Sequence, residues 1–263
     1  MLMGLAVATT SGMFLASKHQ MRMQTRELET TQAARAAVDM IVRDLRLGGA
    51  CLPVTGEFIS LSGSNSGSED QIVTRTGLTR PDLSCIRSTV SIGATVLAGG
   101  TRVAVQASEG FAPGMRAYIR HPDGDGEFLD ITAVPSATEL TKGTTLSRDY
   151  PETSGVYAID ERRFFLNWWS SPRGMLPELM LQVGSSTPSS FAVGIEKLDL
   201  RYQLRRNCPP CDVVNIPIDN EEWSIVEQVL VSVTARSELP DTNGKYYRRT
   251  VAVGVKPRNL LPQ

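Results

Sequence analysis

MLMGLAVATTSGMFLASKHQMRMQTRELETTQAARAAVDMIVRDLRL, residues 1–47, is the stretch on which the reading of the whole chain turns. Its first part, Met1 to Ala16, has no charge, while Ser17 to Leu47 is polar and charged with apolar residues at helical spacing. The first proline is Pro53, so nothing before it breaks a helix. One continuous helix of about 70 Å follows, at about 1.5 Å per residue. Ala34, Val38, Ile41 and Leu45 recur at steps of three and four and form one stripe. Arg35, Asp39, Arg43 and Arg46 lie elsewhere on the surface, with Asp39 four residues before Arg43, the favourable order for a helical ion pair. Gly48-Gly49 ends the helix and Pro53 confirms the stop. The stripe is expected to pack on the domain's own sheet. A seam against partner helices is the alternative, and both can hold along different segments.

The apolar front is short for a membrane span, which needs about 20 residues. It has no polar face, which argues against an ordinary buried helix. A cleaved signal peptide wants basic residues ahead of its apolar run, and none stands there, although Ala16-Ser17 imitates a cleavage site. Lys18, Arg22 and Arg26 follow the run, and the positive-inside rule would put that side in the cytoplasm, a balance that basic residues restored ahead of Met1 would reverse.

Composition narrows the function classes. With 263 residues the chain can bury a substantial core. A net charge of -1 gives no global basic field for nucleic acid. Hydrophobic content of 41% and 22 glycines fit an ordinary folded protein. His19 and His121 are far apart in sequence, against His-rich metal chemistry. Cys51, Cys85, Cys208 and Cys211 make an even count, so two disulfides are expected if the head lies outside the cytoplasm. The natural pairing is Cys51 with Cys85 and Cys208 with Cys211, with the other two connectivities open.

Beyond the helix, residues 57–70 end in a Ser/Gly/Asn-rich loop, and from Gln71 the pattern changes to short β-runs. Strands are expected at Gln71–Arg75, Thr101–Ala107, Arg116–Arg120, Phe128–Val134, Gly155–Ile159 and Arg163–Leu166. Their spacing suggests a small β lobe between about Thr89 and Asp160. Longer alternating runs follow at Phe191–Arg205, Glu227–Arg236 and Lys245–Val255, the last two joined as a hairpin by Asp241-Thr242-Asn243-Gly244.

Candidate chemistry is sparse. Cys208-Pro209-Pro210-Cys211 could be a redox dithiol, but its surroundings do not read as strand-to-helix, and a rigid disulfide-pinned turn is the better reading. Zinc on all four cysteines would need the sulfurs to converge. Asp123, Asp125, Glu127 and Asp130 lack the remaining calcium-loop positions and read as a polar turn. Phe164-Phe165 and Trp168-Trp169 read as core packing with a ring or two at an interface. Arg162, Arg163 and Arg173 are isolated rather than a basic groove. There is no nucleophile elbow, P-loop or dinucleotide fingerprint. No catalytic residue, cofactor or metal is expected.

The run MRMQTRELETTQAARAAVDMIVRDLRLGGA resembles the N-terminal helix of type IV pilins and pseudopilins. It is most similar to the PilW-type minor pilins and the related GspJ-type pseudopilins, with Arg43-Asp44-Leu45-Arg46-Leu47-Gly48-Gly49 as the closing pattern. Gly110-Phe111-Ala112-Pro113-Gly114 with Leu146-Ser147-Arg148-Asp149-Tyr150-Pro151 resembles the family's middle insertion, and Lys256-Pro257-Arg258-Asn259-Leu260 its ending. The family's basic leader and Phe-Thr-Leu-Ile-Glu-like start are missing. Met1 is therefore expected to be an internal start, and the family's glutamate maps to no residue here. The resemblance implies an α+β pilin-like fold, with a long N-terminal helix packed on an antiparallel sheet and a small β lobe inserted. Its parts would be a helix over 1–48 (1–16 for membrane or filament core, 17–48 amphipathic), a connection over 49–88, the lobe over 89–160 and a C-terminal sheet over 161–263. It implies a non-enzymatic minor pilin that helps prime or cap a type IV pilus. Partners would be other minor pilins, the major pilin and the inner-membrane assembly platform. The helix would sit in the inner membrane with the head in the periplasm, and the subunit at the pilus base or tip after assembly. A GspJ-like pseudopilin of a type II secretion system and a secreted β-rich binding protein or enzyme are the alternatives.

Overall fold

A computed structural model describes residues 2–53, 58–67, 69–143, 145–171, 174–241 and 243–257; the side chains of residues 2–16, 19, 22 and 171 stand outside the description. Helix α1 (Leu2–Leu47) is followed by β1 (Leu61–Ser64), β2 (Gln71–Gly77), β3 (Arg87–Thr89), β4 (Arg102–Ala104), β5 (Arg116–Arg120), β6 (Gly126–Ser136) and β7 (Glu139–Lys142). Then come β8 (Gly155–Ser171), β9 (Gly174–Val183), β10 (Ser189–Val193), β11 (Ile195–Leu204), β12 (Val213–Val214), α2 (Asn220–Ser224), β13 (Val226–Arg236) and β14 (Arg248–Val255).

The strands form two sheets. The larger has ten strands in the order β1-β2-β8-β5-β6-β7-β4, with β3 and β9 also on β8 and β10 on β9. The smaller has the order β12-β11-β13-β14. Long β8 is the shared member of the larger sheet. It sets Phe164 against Ile72 of β2, Tyr157 against Tyr118 of β5, and Phe165 against Met180 of β9.

The expected α+β pilin-like class, a long helix on one antiparallel sheet with an inserted lobe, is corrected: the chain is mostly β, and its frame is two sheets. The reason lies in β8. Its middle reads Asp160-Glu161-Arg162-Arg163, a charged run that interrupts apolar alternation, so the sequence suggests two short strands where one of 17 residues exists. Because β5 and β2 both pair with it, the middle lobe is no separate insertion in the sheet plan. Strand β9 shows no clean alternation and contains Pro177, and sequence reading misses it. The run Phe191–Arg205 breaks at Gly194, whose φ of 84° and whose bonds to Pro177 O and from Arg236 N hand the chain from one sheet to the other. The ending pattern over 258–260, Thr242 of the hairpin turn and Arg173 lie outside the described residues.

The main core is common to the helix and both sheets. Ala34, Ala37, Val38, Ile41 and Leu45 of α1 meet Leu198 and Leu200 of β11, Val229, Val231 and Val233 of β13, and Phe164 and Leu179 of the larger sheet. A second core, with Val103, Ile119, Leu140 and Tyr150, fills the region between Ile86 and Ala158. At the helix end Gly49 takes φ 81°, the left-handed conformation common just past a helix, and its N–H donates to Arg75 O at 2.8 Å.

Ile41 is fully buried in the shared core. Ile41→Ala should therefore destabilise the head by about 2–5 kcal/mol, whereas Arg35→Ala on the exposed face should stay within about 0.5 kcal/mol. Urea denaturation of both variants checks this.

Candidate functional site

The four predicted stripe residues, Ala34, Val38, Ile41 and Leu45, lie together in the shared core. The helix behaves differently ahead of them. Thr30 is its first buried described side chain, and its hydroxyl donates to Arg26 O at 2.7 Å. Arg26 donates to Pro240 O at 3.3 Å, and Glu27 accepts from the Tyr247 hydroxyl at 3.1 Å, so the β13–β14 turn clasps one side of the helix there. Ser17, Lys18, Gln20, Gln24 and Thr25 are exposed. Met21 and Leu28 are 71% and 61% exposed. They stand seven residues apart, roughly 120° around the helix from the buried stripe. The sequence repeats the step at Phe14. Among the described residues ahead of Thr30, the head thus leaves the apolar side chains of Met21 and Leu28 uncovered.

At its other end the helix is pinned electrostatically. The buried carboxylate of Asp44 accepts from Arg162 at 3.3 and 3.4 Å, and Arg162 also donates to Asp160 at 2.9 Å. Burial pushes the Asp44 carboxyl above the ordinary value, against the opposing pull of Arg162. Its ionisation therefore costs more in the folded state than in the unfolded one. The stability this group contributes by staying protonated is complete below pH 3.8 and is lost as pH rises through the higher folded value. Nothing in the sequence singled out Arg162 as the partner of Asp44, because 118 residues separate them.

The cysteines pair as Cys51–Cys85 and Cys208–Cys211. Cys51–Cys85 locks the helix exit onto the end of β2. There Gly77 N donates to Ala50 O at 2.7 Å, and a Cβ on Gly77 would stand 2.6 Å from that of Cys51. Cys208–Cys211 closes the loop between β11 and β12. Cys208, Cys211 and Glu227 form the one group with metal-ligand atoms in mutual reach among the described residues, and both sulfurs are bonded to each other. In this pairing the four sulfurs stand as two separate disulfides rather than one cluster of thiolates.

The other candidate groups are engaged internally. Arg148 bridges Asp123 at 2.8 Å and Asp125 at 3.1 Å. Glu127 accepts from Tyr150 at 2.9 Å and from Ser147 N at 2.8 Å, and burial together with that carboxylate pushes the Tyr150 phenol up. Phe164 is core, and Trp169 is exposed. Trp168 donates to Glu69 at 2.7 Å and packs with Arg236, whose guanidinium also lies 4.2 Å from the Tyr246 ring. Glu161 holds Arg75 at 2.6 Å and Arg116 at 2.7 Å, with both guanidiniums against Phe128. Beside them an open trough of about 490 Å³ is lined by Gln71, Arg163 and Gln182.

No family model matches the chain, and a search of curated proteins finds no match. Among the described residues no helix is long and apolar enough to cross a membrane.

Arg162→Met leaves Asp44 and Asp160 without their cation and should cost about 3 kcal/mol. Asp44→Asn, which mimics the protonated acid, should hold or raise Tm at pH 7 and lose any advantage below about pH 4. Melting both variants across pH 3–8 tests the pair. The 34-residue separation of Cys51 and Cys85 against 3 for Cys208 and Cys211 sets a second expectation. Replacing the first pair by serine should cost about 4 kcal/mol and the second about 2 kcal/mol, measured by denaturation under oxidising conditions.

Proposed function

We propose that this chain is a non-enzymatic assembly subunit, a minor pilin of the PilW kind in a type IV pilus machine. The observation that carries this reading is the exposed pair Met21 and Leu28, on a helix that the head buries from Thr30 onward and ahead of that clasps on one side. Ahead of that pair the same helix continues through an uncharged run of residues. An apolar helix side left outside the core needs lipid or other helices against it. In this reading the inner membrane holds the front of the helix before assembly, and helices of other minor pilins and the major pilin replace the lipid afterwards. Helix burial supplies non-directional affinity. Head surfaces select the neighbours, with the head in the periplasm, where both disulfides are stable.

One feature favours a second reading. The open polar trough beside Arg163 and Gln182, on a mostly β frame, suits a secreted β-rich binding protein.

Leu28→Cys in native cells, labelled with a maleimide-benzophenone and illuminated so that the ketone inserts into a neighbouring C–H bond, separates the two. Cross-links to pilin subunits, identified by mass spectrometry and missing for Ile92→Cys on the head, are the expected result. A chain that fractionates away from membranes and gives only singly labelled Leu28→Cys protein supports the binding-protein reading and overturns the assembly one.

A further inference from the structure

The smaller sheet has two edges, and the chain treats them differently. On the β11 side, β12 covers Tyr202 and Gln203. Beyond it, Asp70 N donates to Leu198 O at 3.2 Å, and the buried Asp70 carboxylate accepts from Leu200 N at 2.8 Å. A side chain and its own backbone stand in for a missing strand.

The β14 side is open. Ser237 N donates to Tyr247 O at 2.8 Å and Arg236 N to Gly194 O at 2.7 Å, which fixes the phase of the ladder. By antiparallel alternation Arg249, Val251, Val253 and Val255 turn their backbone groups to β13, while Thr250, Ala252 and Gly254 turn theirs outward. Among the described residues no backbone group meets these outward donors and acceptors. All three residues are exposed. Natural edges are blunted by charges, prolines or bulges, and Thr250–Val255 has none of them.

Packing points the same way. Val231 and Val233 of β13 are buried, yet their register partners Val253 and Val251 are only half-buried. One more strand would cover them. A hollow of about 460 Å³, lined by Asp199, Arg201, Leu230, Ser232, Ala252 and Gly254, spreads over β11, β13 and β14 and reaches this edge strand.

We infer that the outer edge of β14 is a docking site for an extended segment of a different protein, which adds a fifth strand to the smaller sheet. That segment has apolar residues at alternate positions and acidic residues at its ends. Charge selects this occupant. Arg248 and exposed Arg249 flank the bare stretch on one side and Lys256 on the other. Arg248 and Lys256 already hold Glu196 and Glu227 across the sheet, and Arg249 faces solvent. A second copy paired antiparallel about Ala252 would set Arg248 against Lys256 at both ends, and like charges directly opposite destabilise a pair. Acidic flanks meet solvent-facing Arg249 at one end and share Lys256 with Glu227 at the other. Main-chain bonds supply the affinity and the alternate side chains the specificity. The inference rests on this edge and not on the pilus reading.

The test uses the full chain in detergent micelles, the synthetic peptide EDVTVTVDE, and a control peptide in which lysine replaces every acid. Amide hydrogen exchange is followed residue by residue. The acidic peptide should slow exchange at Thr250, Ala252 and Gly254 by about tenfold or more and leave Val251 and Val253 unchanged. Arg249→Glu should weaken the effect. Ala252→Pro should abolish it while the circular dichroism spectrum holds. Three outcomes overturn the inference: no slowing at about 1 mM peptide, equal slowing by the lysine peptide, or slowing that follows protein concentration alone, which would assign the edge to a second copy.

Discussion

One strand ties the molecule together. β8 runs for 17 residues, about 56 Å at about 3.3 Å per residue, and pairs with β2, β3, β5 and β9. Its first half backs the second core through Val156 and Ala158. Its second half backs the shared core through Phe164. The charged residues at its middle face outward or sideways, where Glu161 gathers Arg75 and Arg116, and Arg162 reaches Asp44 on the helix. Without that single strand the two cores would have no common backbone.

The helix is bound to this frame at three points of different chemistry. Its stripe loses water against valines and leucines of the smaller sheet, the non-directional term. Asp44 and Arg162 fix its rotation and register with directed charge-assisted bonds. Cys51–Cys85 then holds the chain where it leaves the helix. All three act on the C-terminal half. Ahead of Thr30, among the described residues, the clasp at Arg26 and Glu27 holds one side of the helix and leaves Met21 and Leu28 exposed.

Much of the local structure was legible. Three- and four-residue spacing picked out Ala34, Val38, Ile41 and Leu45, which lie in the shared core, because helical periodicity is written into adjacent turns. Alternation located β13 and most of β14, whose more buried face repeats every second residue, while β5 was located as a short run between turns and is buried on both faces. It failed at β9, where Pro177 and a weak pattern hide an internal strand, and at β8, where side chains engaged in ion pairs imitate a loop. Of the candidate chemistry, the acids Asp123 and Asp125 were read as a polar turn, but their partner Arg148 was not visible, since it lies 25 and 23 positions along the chain.

By itself, then, the sequence determined the helix and its stop at Gly48-Gly49, the inward faces of the regular strands, and the even set of cysteines, because each depends on residues close in the chain. The tertiary structure alone decided that the chain is mostly β, that one strand spans both cores, and that Asp44 meets Arg162. It also decided that one edge of the smaller sheet is closed by Asp70 while the other is bare. These depend on strand order and long-range register, which come from the simultaneous burial of many distant side chains and leave no periodic mark on the sequence.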